Sequence, residues 1–207
     1  PVIGVVIRRP EDLRMDYLRL SNMDMVTQEL LDQSIKTATL KLTPTADPSL
    51  LGPGAAAGIR FHFTGNTTWE QVILAKKRAE PLSNGISEEV LIDPVEGSLN
   101  AYEGIRFYCS LERAEGRRTA LTKLRFTMGA WSSGYRTMYE YTYIFPEGDY
   151  AGYIEIPFAD MVNGYNQNPG CDKNTIDYFS FNVSTEGSLE DMQLCVSDFE
   201  AYRQIFW

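Results

Sequence analysis

Aromatic rings are the side chains of this sequence best suited to binding a ligand. Tyr139, Tyr141 and Tyr143 occupy alternate positions, so in a strand their rings share one face at intervals of about 6.8 Å. Trp69 and Trp131 lie in short polar stretches where core packing gives no reason for so large a ring. Flat rings stack on the C–H faces of sugars, while polar groups at the rim bind the hydroxyls. The pattern indicates a carbohydrate ligand.

The alternating tyrosines allow two arrangements. In one, Tyr139, Tyr141 and Tyr143 line the core and the residues between them meet solvent. In the other, the three rings line a ligand cleft. Core packing is favoured from the sequence, and Tyr139 stays a candidate ligand residue under the second arrangement.

His62 and Arg60 form a second candidate ligand contact. His62 is the only histidine, and it alternates with Phe61 and Phe63, which places it on the solvent face beside Arg60. One histidine without a G-x-S-x-G segment argues against a nucleophilic triad. The sequence also has no glycine-rich phosphate loop and no dinucleotide-binding fingerprint, so we expect no redox cofactor.

Two glutamates supply the alternative of catalysis. Glycosidases place a pair of carboxyl groups about 5 Å apart when they retain configuration. Glu140 lies in the tyrosine-rich segment and Glu155 in the next strand-like segment, so the two could face each other across a hairpin. Solvated strand residues explain them equally well. A small jelly-roll glycoside hydrolase using Glu140 and Glu155 is therefore the second hypothesis, and a protein-contact or adhesion domain is the third.

Charge and cysteine usage exclude several classes of partner. The 207 residues carry a formal net charge of −9, and no window is strongly basic, which argues against nucleic acid and anionic membranes. Cys109 shares its face with Ile105 and Phe107, so a buried thiol is expected. The sequence begins at Pro1 and has no long apolar run, and we expect an excised extracellular module whose export signal lies elsewhere.

Period-two patterning over most of the chain predicts an all-β fold. Ile154, Ile156 and Phe158 alternate with polar positions, and Pro157 marks a strand end because proline cannot donate to a sheet ladder. About nine to eleven such segments, joined by Gly- and Pro-rich turns, favour a β-sandwich of the jelly-roll type with two antiparallel sheets. We assign residues 1–34 to a leading segment, with one helical turn, of the same domain as the sandwich over 35–207.

Several short motifs occur in the order found in a known family. They are GIRFYCS at 104–110, YTYIFPEGDY at 141–150, YIEIPFADM at 153–161 and CVSDFEAY at 195–202. Together they resemble carbohydrate-binding modules of family 11 and related jelly-roll modules of cellulosomal enzymes, over roughly residues 35–203. The resemblance implies a shallow cleft that binds β-glucan chains without catalysis.

The resemblance also implies particular ligand residues. Tyr165 falls where the family has a ligand-stacking tyrosine, and Asp177 falls where it has a hydrogen-bonding aspartate, with Tyr178 beside it. Met138 replaces a ligand-facing histidine, and Tyr135 lies near a family aspartate, so polar contacts there differ. The family's arginine is missing at 161–163.

A structural calcium ion is a further implication, with a weaker match. The family's N-terminal acidic segment is not legible, and Ser197 stands where a metal-binding acid is expected, before Asp198. We therefore predict a secreted, monomeric, non-catalytic module linked to an enzyme or scaffold. Its ligands are cellulose-like, mixed-linkage or xyloglucan chains. The predicted ligand contacts are Arg60, His62, Trp69, Trp131, Tyr135, Tyr139, Tyr165, Asp177 and Tyr178.

Overall fold

Two antiparallel β-sheets, packed face to face, form the molecule. The computed structural model describes residues 13–20, 27–33, 35–75, 98–129, 138–170, 173 and 178–206. These residues contain twelve strands, six in each sheet, and one helix of six residues, α1 (Gln28–Gln33). The all-β sandwich predicted from period-two patterning is confirmed.

Sheet 1 is organised around its longest strand. Its members are β1 (Leu13–Arg19), β3 (Leu40–Thr45), β4 (Gly58–Phe63), β6 (Gly104–Glu112), β9 (Tyr150–Pro157) and β12 (Gln193–Phe206). The spatial order is β3-β4-β12-β6-β9. Residues 193–197 of β12 pair with β4 and residues 200–206 pair with β1, so two short strands share one edge of β12. A register shift lies between Ser197 and Glu200, and Asp198 there has a φ of 48°, in the left-handed region.

Sheet 2 joins distant parts of the sequence. Its members are β2 (Ile35–Lys36), β5 (Trp69–Ala75), β7 (Thr122–Gly129), β8 (Met138–Ile144), β10 (Val162–Asn163) and β11 (Tyr178–Thr185). The spatial order is β10-β8-β7-β11-β5-β2. The central strand β11 pairs with β7 on one side and β5 on the other. Its neighbours therefore come from segments more than fifty residues apart.

Phenylalanine rings fill the space between the sheets. Phe107 of sheet 1 stacks on Phe199 at 5.7 Å and meets the edge of Phe181 of sheet 2 at 5.3 Å between ring centroids. Phe126 lies 5.8 Å from Phe107 and thereby links the two sheets again. Cys109 is fully buried in this core, as its spacing predicts. Edge-to-face and offset pairs of this kind add to the stabilisation that burial itself provides.

The N-terminal part of the described chain belongs to the sandwich. β1 pairs with β12 over seven residues, which makes it an edge strand of sheet 1. The Arg106 guanidinium lies 3.5 Å from the ring centroid of Tyr17 and 4.3 Å from that of Tyr153, and forms a 2.7 Å ion pair with Glu200. This cation–π stack joins β1 to β6 and β9 on the outer face of sheet 1.

The segment after β3 covers the middle of that same outer face. Leu50 and Leu51 pack on Cys195, and the Ser110 hydroxyl donates to the Leu50 carbonyl oxygen. The Gly52 N–H donates to the Ser197 hydroxyl at 3.0 Å. Any larger residue at position 52 would place its Cβ only 2.7 Å from the Tyr108 Cβ, so the chain approaches the sheet closely here. Sheet 1 is therefore closed there by its own chain, whereas part of the outer face of sheet 2 is open.

Candidate ligand-binding face

The outer face of sheet 2 carries cross-strand rows of polar side chains. Core residues alternate with outward ones on each strand, so the register between strands defines which outward residues are neighbours. One row runs Trp69–Ser184–Lys123–Ile144 across β5, β11, β7 and β8. The next row runs Gln71–Asn182–Arg125–Thr142. Adjacent rows lie about 6.8 Å apart and neighbouring strands about 4.8 Å apart.

A depression of about 440 Å³ lies over these two rows. Its lining consists of Trp69, Gln71, Lys123, Arg125, Thr142, Asn182 and Ser184. Trp69 is 50% exposed, so about half of this large aromatic side chain is open to contact with another molecule. A flat ring beside amide and hydroxyl groups is the arrangement that sugar binding requires.

A buried carboxylate holds the first residues of β5 in place. Glu70 points into the molecule and is 1% exposed. The hydroxyls of Thr37, Thr39 and Thr67 all donate to its two carboxylate oxygens, the last at 2.7 Å. Since adjacent side chains of a strand point to opposite faces, fixing Glu70 inward fixes Trp69 outward. Thr37 and Thr39 come from the connection between β2 and β3, and Thr67 from the turn before β5, so the cluster ties both segments to the start of β5.

Two cations lie on the lining of the depression. Lys123 has no hydrogen-bond or ion-pair partner in the part of the chain that the structure describes. Arg125 approaches Glu140 with 3.7 Å between Nη1 and Oε2, which is longer than a hydrogen bond. None of the seven lining residues is acidic.

Tyr165 provides a second exposed ring at the opposite side of sheet 2. It is 74% exposed, in the turn after β10, where the Asn163 carboxamide oxygen accepts the N–H groups of Tyr165 and Asn166. The Gly164 N–H donates to the Met138 carbonyl oxygen, which fixes the turn to the edge of β8. β10, which precedes this turn, is four strand spacings or about 19 Å from β5, and its Asn163–Tyr139 pair lies five residues, about 17 Å, along the strands from the row of Trp69. A ligand that touches both rings must therefore cross most of the face.

Arg60 and His62 lie on the other side of the sandwich. Both belong to β4 and point away from the core, as predicted, but onto the outer face of sheet 1. His62 Nε2 is 3.1 Å from the Thr43 hydroxyl, and an Arg60 Nη2–H donates to the side chain of Gln193. Burial, and secondarily the charges of Arg60 and Lys41, lower the pKa of His62. The structure does not bring this pair together with Trp69.

Two of the predicted tyrosines are held within the protein. Tyr139 packs against the core with Tyr141 and Tyr143, so the rings of β8 adopt the core arrangement that the sequence favours. Tyr178 is on the outer side of β11 but is only 5% exposed. Neither ring offers an open face for stacking on a sugar.

The expected pairing of Glu140 with Glu155 is wrong. β8 and β9 follow each other in the chain but belong to different sheets, so they form no hairpin. Glu140 lies on the outer side of sheet 2, and Glu155 pairs with Arg106 of β6 on the outer side of sheet 1. Packed sheets are about 10 Å apart before side chains are added. The two carboxylates are therefore too far apart for a glycosidase pair.

Three predicted ligand residues, Trp131, Tyr135 and Asp177, lie outside the described residues. In the other direction, the structure adds six lining residues that sequence reasoning missed: Gln71, Lys123, Arg125, Thr142, Asn182 and Ser184. In the sequence, residues of this kind are polar positions that alternate with apolar ones on β5, β7 and β11. The order of the strands, which the sequence did not reveal, was needed to place them together.

Ser197 and Asp198, at the position where the family resemblance implies a calcium ligand, both have partners within the protein. The Ser197 hydroxyl accepts the N–H of Gly52, and Asp198 accepts the Tyr153 hydroxyl at 2.9 Å. Within the described ranges, no group of three or more His, Cys, Asp or Glu side chains could hold a metal ion. Calcium requires several oxygen ligands at once, and this donor set does not provide them. Calcium binding therefore stays a prediction.

Comparison with known proteins identifies the fold. No protein-family model matches the sequence, and no curated protein sequence does. Among solved structures, CtCBM11, characterised by its solution structure, dynamics and binding studies, matches with a TM-score of 0.53 and 16% identity over 89% of this chain and 94% of that chain. The family 11 module of Clostridium thermocellum in complex with a β-1,3-1,4-mixed-linked tetrasaccharide has a TM-score of 0.43 and 14% identity, over 81% of this chain and 86% of its own. A family 30 module of a cellulosomal cellulase from the same organism has a TM-score of 0.45 and 13% identity, over 82% and 89%.

The molecule thus has the β-sandwich fold of carbohydrate-binding modules. The resemblance to family 11 noted in the sequence is confirmed at the level of the fold. In the described part of the chain, no helix has the length and apolar character needed to cross a membrane.

Proposed function

We propose that this chain is a non-catalytic carbohydrate-binding module that binds plant cell-wall β-glucan chains on the outer face of sheet 2. The observation that carries the proposal is the half-exposed Trp69 ring at a polar depression of about 440 Å³. The fold of this chain agrees with that of CtCBM11. The ligands that fit are cellulose-like, mixed-linkage or xyloglucan chains.

Binding would combine stacking with hydroxyl recognition. Trp69 stacks on one pyranose ring, and the carboxamides of Gln71 and Asn182 bind hydroxyls of the same or the next sugar. A stacked ring contributes about 0.5–1.5 kcal/mol beyond the area that it buries, by analogy with aromatic pairs. The affinity of one module is then modest, and a covalent link to an enzyme or scaffold module raises the effective concentration at the polysaccharide. In this role the protein is an extracellular monomer within a larger polypeptide.

Affinity gel electrophoresis with mixed-linkage glucan, xyloglucan and a soluble cellulose derivative tests the proposal. Trp69→Ala should lower the glucan affinity about three- to tenfold, since it removes one stacked ring. Tyr165→Ala should lower the affinity only for ligands that are long enough to cross the face. His62→Ala is the control, because it lies on sheet 1. If His62→Ala abolishes binding while Trp69→Ala does not, the ligand face has been assigned to the wrong sheet.

Two further measurements separate the other functions. Release of reducing ends from any of these glucans, lost in Glu140→Gln, would support a hydrolase and contradict a binding-only role. A protein-contact domain should migrate unretarded in every polysaccharide gel. Trp131→Ala, made in the same series, tests the stacking residue that lies outside the described residues.

A further inference from the structure

The depression on sheet 2 differs in charge from the molecule that surrounds it. The whole chain carries 28 acidic and 19 basic side chains. The lining of the depression carries two basic residues, Lys123 and Arg125, and no acidic one. A lining that served only neutral hydroxyls would not need the opposite sign of charge from the rest of the protein.

The two cations are not explained by packing in the core, and in the described structure only Arg125 has an acidic neighbour, Glu140. Lys123 and Arg125 alternate on β7 with Leu124 and Phe126, which fill the core, so neither cation contributes to the interior. Arg125 has a guanidinium with five donors, and its 3.7 Å approach to Glu140 leaves most of them available. Lys123 has no acceptor among the described residues. Both are available to an anionic ligand.

The register places these cations within reach of a sugar chain that stacks on Trp69. Lys123 lies in the same cross-strand row as Trp69, two strand spacings or about 9.6 Å away between backbones. Arg125 lies in the next row, about 6.8 Å further along β7. A chain that leaves Trp69 and crosses β11 therefore meets both cations at its next sugars.

We propose that this groove binds glycans that carry carboxylates, namely β-linked chains containing uronic acids, more tightly than neutral chains of the same linkage. The proposal rests on the proposed carbohydrate-binding function. Trp69 stacks on a sugar ring, Lys123 pairs with the carboxylate of a neighbouring sugar, and Arg125 binds a carboxylate through two parallel N–H donors.

A matched pair of ligands isolates the carboxylate. Oligosaccharides of β-1,4-linked glucuronic acid and cello-oligosaccharides of equal length differ only in carrying a carboxylate or a hydroxymethyl group on each ring. At low ionic strength we expect the acidic chain to bind about tenfold more tightly, since each of two half-exposed ion pairs contributes up to about fivefold. Added salt should reduce this preference, because exposed ion pairs weaken as the screening length falls to about 8 Å at physiological ionic strength.

Variants assign the preference to its residues. Lys123→Gln and Arg125→Gln should each lower the ratio of the affinity for the acidic chain to that for the cello-oligosaccharide about threefold. Lys41→Gln, on sheet 1, is the control for a general loss of positive charge. Unchanged melting temperatures establish that the variants fold. Lys123→Gln breaks no ion pair and is therefore the variant less able to disturb the fold.

The outcomes distinguish this inference from the function on which it rests. If the cello-oligosaccharide binds in a Trp69-dependent way and the acidic chain gains nothing, the module function stands and the acidic preference is refuted. If the preference survives in both cation variants, the inference is also refuted. If neither oligosaccharide binds and Trp69→Ala changes nothing, both proposals fail.

Discussion

Replacing the buried Glu70 tests whether the interior of the sandwich fixes the ligand face. The carboxylate receives three threonine hydroxyls, with Thr39 and Thr67 on one oxygen and Thr37 on the other. Glu70→Gln keeps the oxygen that serves two donors but places an amide N–H₂ against Thr37, whose hydroxyl must then accept. Loss of the charge weakens all three hydrogen bonds.

The expected losses follow from these contacts. A hydrogen bond to a charged group contributes about 1.5–3 kcal/mol and a neutral one about 1 kcal/mol. The free energy of unfolding should therefore fall by about 1–2 kcal/mol in Glu70→Gln. In Glu70→Ala all three partners are lost, although Thr37 keeps the N–H of Gln71 as a donor, and the fall should reach about 3–5 kcal/mol.

Urea unfolding of the two variants gives these values, and Glu112→Ala, on the exposed end of β6, is the control for loss of a glutamate. Glucan affinity is measured in the same variants under native conditions. Because Glu70 orients β5, the glucan affinity of the Glu70→Ala variant should fall, as that of the Trp69→Ala variant does. A Glu70→Ala protein as stable as Glu112→Ala would refute the role of the threonine cluster.

Three further predictions concern the core and its pH dependence. Phe107→Ala should lower the free energy of unfolding by about 3–5 kcal/mol in urea titrations, because its ring lies between the two sheets. Gly104→Ala should lower it by about 1–3 kcal/mol, since a Cβ there would lie 2.6 Å from the carbonyl oxygen of Ile156. Burial and the hydrogen bond to Asp198 raise the pKa of Tyr153 to about 12. The folded state therefore keeps a proton that the unfolded state loses near pH 10, so this stabilisation is complete below about pH 10 and is lost as the pH rises to about 12. Unfolding at about pH 9 and pH 11 should show a smaller alkaline loss in Tyr153→Phe than in the parent protein.

The sequence predicted strands well because alternation is a local signal. The core positions of β4, β6 and β9 are apolar at every second residue, and Pro157 ends β9 as expected. Which strands become neighbours is not local. The hairpin expected between β8 and β9 is absent because the chain crosses from one sheet to the other after Phe145, whose ring packs 5.4 Å from that of Tyr150 in the core. That crossing separates Glu140 from Glu155, and the crossing between β4 and β5 likewise separates His62 from Trp69.

The division of residues between the faces of the sandwich explains why the candidate site depends on topology more than on motifs. Alternation of polar and apolar residues places Arg60, His62 and Trp69 on the solvent-facing side of their strands. A sandwich has two such faces, one on each sheet, and alternation does not distinguish them. Only the pairing of β11 with both β5 and β7 places Trp69 and Lys123 in one row. Sheet 1 is covered in its middle by residues around Gly52, so an extended chain finds its open surface on sheet 2. The three threonines that hold Glu70 then serve ligand binding, because they fix the outward orientation of Trp69 on β5 before any sugar binds.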